Sequence, residues 1–385
     1  MRRLASILAV LAIALTFGCG AQFELPTETP GGAPIPSDGS YAMLATWDGL
    51  NGIQDILLWQ SQLFVLFNTG GSGPPSVPRG NVQQFTLTRP EPVSSAWFGP
   101  PAGLFNPVAL AATNDRLLVL DQGDSCLARY NPAFNTCTAE PNHNNPIRDF
   151  NAWWRVREYP IGGNDTISTF TDTTFAQVYG VAADAAGFVY VSGVAVVLDT
   201  SATNSNIRTR KFVSRIYRYA RGPRYPGVVP ADRYMPGSNW HRDTTWFVYD
   251  GTGNSSVSDP RGIEWTTSGQ PALFIADRAN NKAKLVSTQF VQSGLLGVDG
   301  SETGSNLDLP TDVSVDQAGY LYIVDGPNRR VLRYTPGGQY IQILNTEPNA
   351  QGLGLEDPVT VGVDDSMAYI GDRGRGQIIR YKRRP

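Results

Sequence analysis

Histidine is nearly missing from this 385-residue chain: His143 and His241 are the only two. A zinc centre built from three imidazoles is therefore excluded. Charge is sparse as well, at 17% of residues against the ~25% of an average soluble domain. The net charge is −3, so there is no global basic field for nucleic acid. No apolar run approaches the ~20 residues that cross a bilayer as a helix; residues 4–17 form a stretch of 14. The chain also carries no GxSxG, HExxH, phosphate-loop or CxxC pattern.

What is present is turn and core material. There are 40 glycines and 28 prolines, with 41% hydrophobic and 10% aromatic residues. That hydrophobic content excludes wholesale disorder. Many turns, few charges and scattered aromatics suit a large all-β chain, and single β domains can run well beyond the usual ~150 residues.

The first residues read as an export address. Arg2 and Arg3 precede the apolar stretch 4–17, which ends in Gly18-Cys19. The sequence Leu15-Thr16-Phe17-Gly18-Cys19 resembles the lipobox of bacterial lipoproteins, with Thr16 where that motif usually has Leu. The resemblance implies a signal peptide over 1–18 and a lipid on Cys19; the alternative is an ordinary secretory signal cut near Ala21. Residues 19–40 hold Pro26, Pro30, Pro34 and Pro36 with several glycines and no hydrophobic periodicity, as expected of an extended tether. Removing 1–18 takes away Arg2 and Arg3 and no acid, leaving 29 basic against 34 acidic residues, a net charge of −5. Cys126 and Cys137 remain, an even pair that an oxidising compartment would join as a disulfide. Two separate buried thiols are the other reading.

Internal repetition organises the rest. Residues 309–316 (LPTDVSVD), 319–325 (GYLYIVD) and 328–334 (NRRVLRY) read as three short strands separated by polar turns. Weaker copies start near Ile53, Pro107, Val178, Pro260 and Pro358. In the unit at Pro107 the third strand is expected at 126–130, and in the unit at Pro260 the pair Asn280 and Lys282 stands where Asn328 and Arg330 stand. The repeat resembles the NHL repeat, the unit of a β-propeller blade. The resemblance implies one all-β domain over 41–385, a six-bladed propeller. The last unit ends after its third strand, and Tyr41 to Trp47 has no other partner, so this N-terminal strand is expected to close the ring within the last blade.

Several residues stand out as candidate sites. In the repeat, Asp325 with Arg330 and Asp277 with Lys282 are expected to hold turns at blade junctions rather than to act chemically. Alternation along the innermost strands turns Asp312 and Ser314 toward the central channel. Register carries this to Asp55 and Leu57, Ala109 and Ala111, Gly180 and Ala182, Gly262 and Glu264, and Thr360 and Gly362, with Arg261 beside the rim. Asp55, Glu264 and Asp312 could together hold calcium or another divalent cation, since hard cations take oxygen ligands. Otherwise they line a water-filled channel. Similarity to lactonase-type propellers would make this a metal-dependent hydrolase or lyase, although no mapped channel position is Asn or Gln. Long insertions carry Trp153, Trp154, Tyr234 and Trp240, residue types that anchor interfaces. These aromatics either bind a partner or close over their own blades.

The expectation is thus an exported propeller, lipid-anchored in the bacterial cell envelope. Gly20 after the cysteine points to the outer membrane. No resident cofactor is required, and whether it is an enzyme stays open between two readings. One is a non-enzymatic binding or scaffold module for an envelope protein, peptide or glycan. The other is the channel metalloenzyme.

Overall fold

The computed structural model describes residues 39–68, 80–85, 87, 94–98, 104, 106–122, 130–131, 136–137, 154–161, 168–170, 172, 174–199, 209–222, 240–266, 271–289, 294–344 and 354–384. Residues Ser40–Arg383 form one compact unit. Cys19, Cys126, Trp153 and Tyr234 lie outside the described residues, as does the side chain of Cys137.

The chain opens with β1 (Tyr41–Trp47) and then builds the first blade from β2 (Ile53–Trp59), β3 (Gln62–Asn68), β4 (Gly80–Phe85) and β5 (Ser94–Phe98). The second blade begins with β6 (Pro107–Ala112) and β7 (Arg116–Asp121). A two-stranded ribbon of β8 (Tyr130–Asn131) and β9 (Thr136–Cys137) intervenes, and β10 (Arg155–Pro160) and β11 (Ser168–Phe170) complete the sheet. The third blade has β12 (Phe175–Ala183), β13 (Val189–Asp199), β14 (Thr209–Arg221) and β15 (Trp240–Asp250). A fifth short strand, β16 (Ser256–Val257), adds in parallel. Blade four is β17 (Pro260–Thr266), β18 (Ala272–Asp277), β19 (Lys282–Ser287) and β20 (Gly294–Val298); blade five is β21 (Asp312–Val315), β22 (Leu321–Asp325), β23 (Arg330–Tyr334) and β24 (Tyr340–Leu344). The last blade is β25 (Pro358–Val363), β26 (Met367–Asp372) and β27 (Gln377–Arg383), with β1 as its outer strand. This is a six-bladed β-propeller.

Closure follows the expectation. β1 pairs antiparallel with β27 from Tyr41 opposite Arg383 to Trp47 opposite Ile378. The edge that β27 would otherwise expose is thereby covered. Trp47 is 1% exposed and packs between Phe85 of the first blade and Tyr369 of the last. The closing strand therefore also fills the junction where the two ends of the propeller meet.

Strand composition follows position in the blade. The second strand of a blade lies mid-sheet with neighbouring blades on both faces, so it reads as a continuous apolar run. LFVLF in β3, LLVL in β7, ALFIA in β18 and LYIV in β22 are buried without a break. Hydrophobic clusters form between successive blades: Leu273, Ile275 and Tyr190 join the third and fourth, and Ile323, Leu332 and Phe274 the fourth and fifth.

Two devices recur among the blades. Asp121, Asp277, Asp325 and Asp372, each fully buried at the end of a second strand, accept the backbone N–H of residues leading into the innermost strand of the same blade. The donors are Asn106 (2.8 Å), Ser258 (2.6 Å), Asp308 (2.9 Å) and, for Asp372, Glu356 (2.8 Å). Asp325 also receives Arg330 Nε at 2.7 Å, as the repeat predicted. In the fourth blade the basic partner is corrected: Lys284, not Lys282, pairs with Asp277, and its ammonium also donates to the carbonyls of Gly253 and Ser256 at 2.8 Å. The second device is the turn Asp-x-x-Gly. Gly187 (φ +85°) and Gly319 (φ +85°) adopt the left-handed conformation, while Asp184 and Asp316 accept from Tyr190 Oη (2.9 Å) and Tyr322 Oη (3.2 Å).

The second blade departs from the sequence reading. Its third strand is Arg155–Pro160, paired with β7 from Arg155 opposite Asp121 to Pro160 opposite Arg116, not residues 126–130. The insertion thus falls inside the blade, between its second and third strands.

Candidate functional site

The six innermost strands surround a cavity of about 470 Å³ along the propeller axis. They run in the same direction around the ring. Gly262 N–H donates to Thr311 O at 3.0 Å and Val315 N–H to Glu264 Oε2 at 2.9 Å, so β17 and β21 advance together. The cavity consequently has two chemically distinct ends. Gln54, Gln177, Tyr179, Arg261 and Thr311, at the strand starts, make one end polar. Leu58, Trp59, Ala112 and Trp265, at the strand ends, make the other apolar.

Most residues assigned to the channel by alternation do line it, from Asp55 and Leu57 through Asp312 and Ser314. Bulges early in β2, β6, β12, β17 and β25 set the phase of that alternation. Thr360 and Gly362 are the exceptions; both are buried, and Thr360 Oγ1 instead donates to Asp55 Oδ1 at 2.8 Å.

The three channel acids have a use that neither the cation reading nor the water-filled-channel reading named. An innermost strand pairs on one side only, so its axis-facing N–H groups need acceptors. Asp55 Oδ2 accepts from Leu110 N–H of the second blade at 2.6 Å, and its Oδ1 from Ile56 N–H at 2.8 Å. Glu264 of the fourth blade accepts from Val315 N–H of the fifth, and Asp312 of the fifth from Val361 N–H of the sixth at 3.1 Å. Each carboxylate therefore links its own blade to the next. Among the described residues no three acids, imidazoles or thiols converge on a point that an ion could share. One oxygen of Glu264, one of Asp312 and both of Asp55 are directed at separate amides rather than at a shared point.

Burial alters their protonation. It pushes Glu264 up to about 8, against the opposing hydrogen bonds from Ser314 and Val315. Asp55 is raised to about 6 by burial, and Asp312 well above the usual carboxylate range by burial and then by the charge of Asp55. No ion pair reaches any of the three among the described residues. At neutral pH Glu264 is mainly a neutral acid.

The insertion aromatics that are described are core residues. Trp154 is 2% exposed, donates Nε1–H to Asp172 O at 2.9 Å and meets Phe175 edge-on at 5.6 Å. Trp240 is 6% exposed and stacks on Phe170 at 4.8 Å, with the Arg221 guanidinium 4.8 Å from its ring centre. Together they fill the junction of the second and third blades. Of the two readings offered for these rings, burial at the blade junction matches the closing one rather than an exposed anchor.

The polar mouth was only partly visible in the sequence, where Arg261 was placed beside the rim and Tyr179, Gln177, Asp259 and Arg278 were not singled out. Arg261 lies 3.7 Å over the Tyr179 ring and pairs with Asp259, which also holds Arg278 at 3.1 Å. Tyr179 Oη donates to Gln177 Oε1 at 2.7 Å. No family model matches this sequence, and no curated protein is significantly similar to it.

Proposed function

We propose that the chain is an exported, lipid-anchored propeller of NHL-type repeats that serves as a non-enzymatic binding or scaffold module of the bacterial cell envelope. The observation that carries this reading is the use of the channel acids. Asp55, Glu264 and Asp312 link blade to blade, so the channel resembles a braced axle more than a reaction centre. A rigid ring with inserted loops suits recognition of a protein, peptide or glycan. The signal-like start, Cys19 and the proline-rich segment after it support display from a membrane, with Gly20 favouring the outer one. The NHL reading is supported by the Asp325–Asn328–Arg330 constellation and its partial copy at Asp277 and Asn280. Cys126 and Cys137 form a disulfide in this reading.

Capture of partners from an envelope extract tests the proposal. The variant D55N/E264Q/D312N should capture the same partners as the wild type. Trp153→Ala or Tyr234→Ala should weaken capture by about 2 kcal/mol where that ring is a binding hot spot. Loss of capture in an acid variant that still melts cooperatively, with both aromatic variants unaffected, would favour the channel enzyme instead.

A further inference from the structure

The polar mouth of the channel has a surplus of hydrogen-bond donors. Arg261 carries five N–H groups in a planar fork. Asp259 lies along the side edge: Nη2 donates to Oδ2 at 3.1 Å, and Nε is 3.0 Å from Oδ1 as an ion-pair contact without hydrogen-bond geometry. The end edge, Nη1 and the outer hydrogen of Nη2, donates to no described residue. Stacking on Tyr179 fixes the plane of the guanidinium. Arg278 shares Asp259, so two guanidinium groups face one carboxylate and the mouth retains a positive charge. Tyr179 Oη uses the acceptor of Gln177 and leaves that amide's NH₂ for an incoming group.

Behind the mouth the wall is made of small residues, Ala109, Ala111, Gly180, Ala182 and Gly262. At Gly180 a Cβ would meet Arg261 O at 2.4 Å, so only glycine lets the strand bearing Arg261 approach so closely. The cavity volume of about 470 Å³ lies within the range of small-molecule sites, roughly 300–1,000 Å³. Beyond the small residues lies the apolar end with Leu58 and Trp265. We propose that this cavity binds an organic monocarboxylate, its head on the free edge of Arg261 and its apolar body along the channel. The planar, two-donor edge matches a carboxylate. A dianion would meet Asp55 with only one residual positive charge to offset it, and a cation would face the Arg261 guanidinium. The inference deepens the binding reading above by naming the chemistry of a ligand. That chemistry has two sources, a free small molecule or the C-terminal carboxylate of a peptide.

Calorimetric titration of the purified full-length chain distinguishes them. The probes are hexanoate with its neutral counterpart hexanamide, and the tripeptide Ala-Leu-Leu with a free or an amidated C-terminus. At least one carboxylate probe should bind, about tenfold or more tightly than its neutral counterpart. Binding of hexanoate alone assigns a free small molecule, and binding of the free-ended peptide alone assigns chain ends; either upholds the site. Arg261→Gln should weaken binding by about tenfold or more. Arg261→Lys, which keeps the charge and removes the fork, should weaken it measurably with little effect on folding. Failure of both carboxylate probes, or equal affinity for carboxylate and amide, or wild-type affinity in Arg261→Gln and Arg261→Lys, would overturn the proposal. Because the titration uses the chain alone, its outcome is independent of capture from an envelope extract.

Discussion

Asp55 of the first blade accepts the amide of Leu110 of the second at 2.6 Å, while its other oxygen accepts from Ile56 N–H and Thr360 Oγ1. One side chain thus joins the first blade to the second and to the sixth. Asp55→Ala leaves Leu110 N–H and Thr360 Oγ1–H without their acceptor, while Ile56 N–H keeps Thr360 Oγ1 at 3.0 Å. Unsatisfied buried donors cost ~1–3 kcal/mol each, reduced where channel water reaches them, so we expect destabilisation of about 2–4 kcal/mol by urea unfolding. Asp55→Asn retains one acceptor oxygen and should lie between the alanine variant and wild type. An alanine variant as stable as wild type would show that the link contributes little.

Glu264 gives the fold a pH dependence of defined sign. Its folded-state value, about 8, lies above the ordinary 4.5, so the folded chain holds a proton that the unfolded chain releases. Stability therefore falls as pH rises from ~4.5 to ~8 and levels off beyond. Asp55, raised to about 6, adds a smaller fall in the lower part of that window. Glu264→Gln mimics the neutral acid. It should be nearly neutral at pH 5, and more stable than wild type at pH 9 by on the order of 3 kcal/mol, less where channel water screens the charge. Thermal melting from pH 5 to 9 checks this. Parallel curves for the two proteins would contradict it.

Trp47 should dominate the stability of the closing strand. It is fully buried between Phe85 and Tyr369, with Arg380 4.8 Å over its ring. Trp47→Ala should cost about 3–5 kcal/mol, as for other buried aromatics truncated in a packed core. Deletion of Tyr41–Trp47 should go further and give aggregation, because it uncovers the edge of β27. A soluble, cooperatively melting deletion variant would show that the ring closes without this strand.

The lipid anchor has a simple test. Wild type should partition with membranes into detergent, and Cys19→Ser should be soluble or retain its signal segment. Identical fractionation of the two would remove the anchor from the account.

The ring was legible because each blade repeats one apolar grammar: LFVLF, LLVL, ALFIA and LYIV mark the second strands, and the incomplete last unit asks for Tyr41–Trp47. Asp55, Glu264 and Asp312 were correctly turned to the channel, since alternation within a strand decides facing. Their acceptor role was not legible. The amides of Leu110, Val315 and Val361 sit on other strands, and lateral register between blades leaves no period in the sequence. The same limit left two readings open for Trp154 and Trp240, whose burial depends on two blades meeting. The third strand of the second blade was missed for a different reason. Residues 126–130 lie at the spacing a compact blade would use, but the insertion falls before the strand at Arg155–Pro160 rather than after it.

The role of the channel acids is decided most directly by melting the full-length chain with and without about 1 mM calcium, zinc or manganese, beside the variant D55N/E264Q/D312N. A cation held by Asp55, Glu264 and Asp312 would stabilise the folded state by mass action. If the three carboxylates serve as links between blades, none of the metals raises the melting temperature of wild type relative to the triple variant. A metal-dependent rise in wild type that the triple variant lacks, with stoichiometric metal by elemental analysis, would contradict the account.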